Sequence, residues 1–200
     1  MMIDALSQAA LRLRQQISYF APLTDDEWNA LVPYLSITTF RKHQCLIQQG
    51  EMASQLAFVL DGLFRQFYMK DGDERTTYFF LDDQLVGAYM SCVTSQPSLV
   101  TIEALSDSTC LAFPYTALTT LFSQYDGWQL FGRRFAEYIM VSLEERMVGL
   151  LTRSPEERYL DLLTGTQRAL LQQVPQHYIA NYLGITPVSL SRIRNRVSQK

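Results

Sequence analysis

The chain is 200 residues long, 48% hydrophobic and 18% charged, with a formal net charge of −3; it is long enough for a real core and lacks the polar bias of a disordered segment. No apolar run approaches the roughly 18 residues of a membrane span, and Met1-Met2-Ile3-Asp4 lacks the basic start and apolar core of a signal peptide, so a cytoplasmic location without membrane association is expected. Three widely spaced cysteines (Cys45, Cys92, Cys110) and two histidines (His43, His177) form neither a disulfide framework nor a ligand cluster, so no metal, no cofactor and no metalloenzyme chemistry is expected.

In chain order, Leu6, Ala10, Leu13 and Ile17 recur at amphipathic spacing and predict a helix over 3–20. Thr24 followed by Asp25-Asp26-Glu27 reads as a cap and acidic first turn for a helix through about Val32. From Ser36 to about Leu118 the pattern changes to short β-rich runs such as 63–69 and 76–80, punctuated by Asp61-Gly62 and Asp71-Gly72, which read as hairpin turns. A β-roll of roughly eighty residues is the expectation.

Phe131, Phe135, Ile139, Leu143, Met147 and Leu150 then recur at helical spacing and predict one long helix over 127–151. At 1.5 Å per residue it would extend about 36 Å, more than a lid on a small roll needs, so its apolar stripe is expected to pair with a second copy across a two-fold axis. The expected dimerisation residues are Phe131, Phe135, Ile139, Leu143 and Met147. Ser154-Pro155-Glu156-Glu157 has the cap, N1 proline and acidic turn of a new helix, which Gly165 ends.

Charge is distributed unevenly. Residues 1–149 carry ten Lys/Arg against seventeen Asp/Glu, whereas 150–200 carry seven against three, and no acid follows Gly184. That basic terminus suits a polyanion. Within it, the apolar positions Ile179, Leu183, Ile185, Leu190, Ile193 and Val197 divide between two helices. Ala180 permits close helix approach, Gly184 supplies a left-handed stop, Thr186 is a good N-cap and Pro187 fits the first helical position. Burying Leu190, Ile193 and Val197 turns Val188, Ser189, Arg192, Asn195, Arg196 and Gln199 outward or to the flanks. This is the pattern of a helix-turn-helix that places its second helix in the DNA major groove. The alternative is a helical hairpin with a solvated charged face.

The stretch Ile179-Ala-Asn-Tyr-Leu-Gly-Ile-Thr-Pro-Val-Ser-Leu-Ser-Arg-Ile-Arg194 resembles the helix-turn-helix of the Crp-Fnr family of bacterial transcription regulators. The segments Phe58-Val-Leu-Asp-Gly-Leu-Phe-Arg65 and Ile102-Glu-Ala-Leu-Ser-Asp-Ser108 resemble that family's roll strands. The resemblance covers nearly the whole chain. It implies an α+β fold: a cyclic-nucleotide-binding-like double-stranded β-helix (β-roll) with N-terminal helices over 1–125, a dimerisation helix over 126–152, and a helix-turn-helix domain over 153–200. It also implies a non-enzymatic homodimer acting on double-stranded DNA, with RNA polymerase and a small-molecule effector as further partners.

By the same resemblance, Arg192 matches the arginine that reads a guanine through O6 and N7. Val188 stands where relatives often carry Glu, and can touch a thymine methyl but accept nothing from cytosine. Thr186, Ser189 and Arg196 are expected at phosphates, and Arg194 at a phosphate or in a structural role. The chain stops at Lys200 where many relatives continue into a β-hairpin wing, so a short form is expected. In nucleotide-binding relatives a Glu holds the ribose and an Arg the cyclic phosphate; Ala88 and Ser98 occupy those places here, so the effector is expected not to be cyclic AMP. Phe58, Phe67, Tyr68, Tyr78, Phe79 and Tyr89 would either line an apolar effector site or form core. The alternative function is a β-roll interaction or sensing module whose DNA binding is lost or weak.

Overall fold

A computed structural model of the chain describes residues 2–199. Two four-stranded antiparallel sheets form the roll. One runs in the order β1 (Ser36–Phe40), β8 (Ser108–Pro114), β3 (Gln55–Asp61), β6 (Leu85–Val86); the other runs β2 (Cys45–Ile47), β7 (Thr101–Ala104), β4 (Phe64–Lys70), β5 (Asp73–Phe80). The helices are α1 (Met2–Ser18), α2 (Asp25–Leu31), α3 (Tyr89–Thr94), α4 (Tyr115–Gln124), α5 (Asp126–Thr152), α6 (Pro155–Thr164), α7 (Leu170–Gln173), α8 (Gln176–Tyr182) and α9 (Pro187–Ser198). The α+β class expected from the sequence is the observed one.

The first sheet is apolar on both faces, and the two-residue period of a strand divides those side chains between two cores. Leu56 and Phe58 of β3, with Leu111 and Phe113 of β8, pack under the helices with Leu13, Ile17, Trp28, Leu31 and Trp128. Their sequence neighbours Ala57, Val59, Cys110 and Ala112 point into the roll, where they meet Phe64, Val86, Ala88, Val100 and Ile102. Burial pushes the Cys110 thiol up to about 12, so it behaves as a packed hydrophobe.

Glu27 joins the two helical layers. It closes the capping box of α2, accepting from the Thr24 N–H at 2.8 Å, and it also accepts from the Gly127 N–H at 2.9 Å, in the first turn of α5. A Cβ on Gly127 would stand 2.6 Å from this carboxylate, so the glycine is what admits it. The Thr24 N–H, and secondarily the Gly127 N–H, hold the Glu27 carboxyl below the ordinary carboxylate range. A depressed folded value adds stability above the unfolded value, and that stability is lost as pH falls through the folded value. Glu27→Gln should therefore lower stability at neutral pH by about 1–2 kcal/mol and flatten the acid side of the profile. Urea unfolding of both proteins between neutral pH and the acid range checks this.

The two Asp-Gly pairs have different fates. Asp71 and Gly72 both have positive φ (54° and 84°) and form the two-residue turn between β4 and β5. Asp61-Gly62, by contrast, carries the chain from one sheet to the other, because β3 and β4 do not pair. Gly62 has φ 127° there, and a Cβ would lie 2.1 Å from Ser108 Oγ. Three short features also depart from the sequence reading: α3 follows directly on Ala88, β8 ends at Pro114 rather than near Leu118, and α7 intervenes before α8.

The long helix exists as α5, 27 residues, but its stripe is divided. Phe131 is 2% exposed, and Phe131 and Phe135 stack on each other 5.5 Å apart while both meet Phe20 edge-on. These two, expected at the subunit seam, belong to the chain's own core, because the first half of α5 lies against the N-terminal helices. Ile139 is half-buried. The exposed apolar residues begin after it: Met140, Val141, Leu143, Met147, Val148, Leu150 and Leu151.

Candidate nucleic-acid interface

The turn between α8 and α9 is specified atom by atom. Gly184 has φ 70°, its N–H donates to Asn181 O at 3.0 Å, and the Ile185 N–H donates to Ala180 O at 2.9 Å. These are the two bonds of a Schellman motif, and they satisfy two of the carbonyls that a helix end leaves free. Arginines from other helices take the next two: Arg146 of α5 donates to Tyr182 O, and Arg158 of α6 donates through Nε and Nη2 to Leu183 O at 3.2 and 2.9 Å. Cations at a helix C-terminus also complement its dipole. Arg146 further lies 3.8 Å over the Tyr182 ring. The second helix then starts on Thr186, whose Oγ1 accepts the Ser189 N–H at 3.2 Å, with Pro187 in the first turn.

Leu190 and Ile193 are buried against α8, which leaves one face of α9 outward. Val188 is 61% exposed, and Arg192, Arg194, Asn195 and Arg196 are exposed. Ser189 is half-buried, its hydroxyl 3.0 Å from that of Thr186. The face of α9 has no acid of its own, but Arg196 pairs with Glu156 of α6 at 3.2 Å. Thus Thr186, Val188, Ser189, Arg192 and Arg196 lie on or beside one surface, with Arg196 already engaged at its far end, whereas Arg194, about 200° around the helix from Arg192, is exposed on the opposite flank.

A second set of contacts was missed by sequence reasoning. Tyr178, Asn181 and Tyr182 share a face of α8 by their three-and-four spacing, and that face rests on the roll. Asn181 Oδ1 accepts the Thr76 N–H at 2.6 Å, and its Nδ2 donates to Glu74 O at 2.8 Å. Tyr182 packs on Phe79, ring centroids 5.4 Å apart. Tyr178 covers Arg65, whose guanidinium lies between this ring at 4.1 Å and Phe67 at 4.3 Å. Arg65 is 1% exposed; it pairs with Glu74 at 2.6 Å and Glu103 at 3.2 Å, and donates to Thr76 Oγ1 at 2.8 Å. Leu63, Phe79 and Leu105 of the roll join Ile179, Leu183, Leu190 and Ile193 in one core. The only local sign was an arginine flanked by Phe64 and Phe67 in β4.

The six aromatics of the roll do not converge on one cavity. Phe58 lies under the N-terminal helices, Phe67 and Phe79 support the helix-turn-helix, Tyr68 is 41% exposed, and Tyr89 meets Tyr115 and Phe135 edge-on. Tyr78 alone packs against the roll interior, beside Phe80. Ala88 and Ser98 are both buried. The Ser98 hydroxyl donates to Val100 O at 2.7 Å and accepts the Val100 N–H at 3.2 Å, so it is committed to its own turn. Among the described residues, the one charged side chain in the buried set is Arg65, which faces α8 and not the interior.

Residues 37–125 match the family model of the cyclic nucleotide-binding domain. No curated protein matches the chain. Among solved structures, FixK2 from Bradyrhizobium japonicum is similar at TM-score 0.71 and 18% identity, over 82% of this chain and 85% of that one. The catabolite activator protein of Thermus thermophilus is similar at TM-score 0.56 and 22% identity, over 90% and 86% of the two chains. A protein from Eubacterium rectale assigned to the crp/fnr transcriptional regulators is similar at TM-score 0.63 and 18% identity, over 88% and 84%. No helix among the described residues is long and apolar enough to cross a membrane. Residues 37–125 thus resemble the cyclic nucleotide-binding domain, and across most of its length the chain shares the fold of these solved regulator structures.

Proposed function

We propose that the chain is a DNA-binding transcription regulator of the Crp/Fnr type, acting as a homodimer on a palindromic operator and answering to an effector other than cyclic AMP. The observation that carries this reading is the exposed, acid-free face of α9, presented behind a capped, fully hydrogen-bonded turn. Two such helices, about 34 Å apart in a two-fold dimer, reach successive major grooves. Arg192 reads guanine, Val188 contacts a thymine methyl, and Thr186 and Ser189 at the start of α9 hold phosphate. Arg196 reaches phosphate by exchanging Glu156, a surface pair worth little. RNA polymerase is the further partner this reading implies. Against cyclic AMP stand Ala88 and Ser98, which offer neither a carboxylate for a ribose nor a guanidinium for a cyclic phosphate.

Selection of bound duplexes from a random pool tests the reading. Arg192→Ala is expected to cost about 1–3 kcal/mol on the selected site and relax one base per half-site, whereas Arg196→Ala should weaken all sequences alike. Equal binding of wild type to every sequence would overturn it.

A further inference from the structure

β5 is the outermost strand of its sheet, so one side of its backbone has no neighbouring strand. Such an edge presents unpaired N–H and C=O groups that folded proteins pair or cover. Here Asn181 meets the edge. Its carboxamide has the same donor and acceptor functions as a peptide group, and it takes the Thr76 N–H and the Glu74 carbonyl together, at 2.6 and 2.8 Å. Two bonds to one planar amide fix an orientation as well as a distance.

Asn181 is also built into the turn. Its own carbonyl accepts the Gly184 N–H, and the adjacent Ala180 carbonyl accepts that of Ile185. The chain between the β5 edge and the Thr186 cap of α9 therefore has no slack: seat, Schellman turn and cap follow one another directly. We propose that Asn181 is a positioning residue for operator recognition: by standing in for the strand that β5 lacks, it seats α8 on the roll and sets the angle at which α9 is presented. The inference rests on the reading of the chain as a DNA-binding regulator. In a two-fold dimer that angle fixes the distance between the two recognition helices, and so the half-site spacing.

The test uses full-length wild type and Asn181→Ala, selected against palindromic duplexes whose half-site spacing varies over one helical turn. Wild type is expected to choose one spacing. The variant should keep the same half-site bases, which α9 reads, while its preference for that spacing over the next best falls about tenfold, the equivalent of one or two lost hydrogen bonds. A variant that keeps the wild-type spacing with undiminished preference overturns the proposal; a residue needed for stability alone would weaken all spacings equally. Amide hydrogen exchange at Thr76 should be faster in the variant, and unchanged exchange would also overturn it. Asn181→Asp, which keeps the acceptor and loses the donor, serves should the alanine variant not fold, and is expected to fall between the two. If wild type retains no duplex at low salt, the regulator reading fails and takes the operator role with it, while accelerated Thr76 exchange would still establish the seat.

Discussion

Replacing Arg65 with alanine is expected to destabilise the chain by about 3–5 kcal/mol, the range found when one partner of a buried ion pair is removed. The guanidinium is almost completely buried and does four things at once: it neutralises Glu103, which is 14% exposed, pairs with Glu74, bonds Thr76 and fills the gap between two aromatic rings. Deleting it leaves Glu103 poorly solvated, with the exposed His43 3.9 Å away in place of a guanidinium, and opens a cavity beneath Tyr178. Glu74, at 40% exposure, adds less, since water screens it. Arg65→Lys should recover only part of the loss, because a compact ammonium cannot span two carboxylates and stack between rings. Urea unfolding of the three proteins measures this, and a change below about 1 kcal/mol for alanine, the size of an ordinary surface substitution, would contradict the packing described.

The helix-turn-helix was legible in the sequence because its requirements are local. Gly184 must take positive φ, Thr186 must cap, Pro187 must lack a donor, and each shows in its own residue type. The capping boxes at Thr24 and Ser154 were legible for the same reason. Arg65 and Asn181 were not, because what they do depends on partners brought together by the fold; Asn181 and Thr76 are 105 residues apart. Periodicity found α5 but not its division, since a stripe at helical spacing shows that a face is covered and not by what. Phe131 and Phe135 are covered by Phe20 and Trp128 of the same chain. The aromatic residues of the roll misled similarly. Alternation places successive side chains on opposite faces, and here the opposite faces belong to separate cores, so residues adjacent in sequence line no common cavity.

For the homodimer proposed above, that division of α5 also determines which substitution should separate the subunits. Met140, Leu143, Met147 and Leu150 follow the alternating three-and-four spacing of a coiled-coil seam, and each is at least 45% exposed. Two heptads are too few for an independent coiled coil in water, but this helix is not independent: Trp128, Phe131 and Phe135 anchor its first half to the roll, so pairing requires little ordering of the second. Burying a leucine or methionine contributes about 1.5–3 kcal/mol, and a two-fold axis counts each one twice. Leu143→Glu should therefore forfeit that contribution on both copies and bring two carboxylates face to face, converting a dimer to a monomer in sedimentation equilibrium. Operator affinity should fall by several orders of magnitude, since two linked half-site contacts become one. Phe131→Glu is the contrast: it disrupts the chain's own core and should unfold the protein rather than yield a folded monomer. A folded Leu143→Glu protein that remains dimeric would move the subunit interface away from the second half of α5.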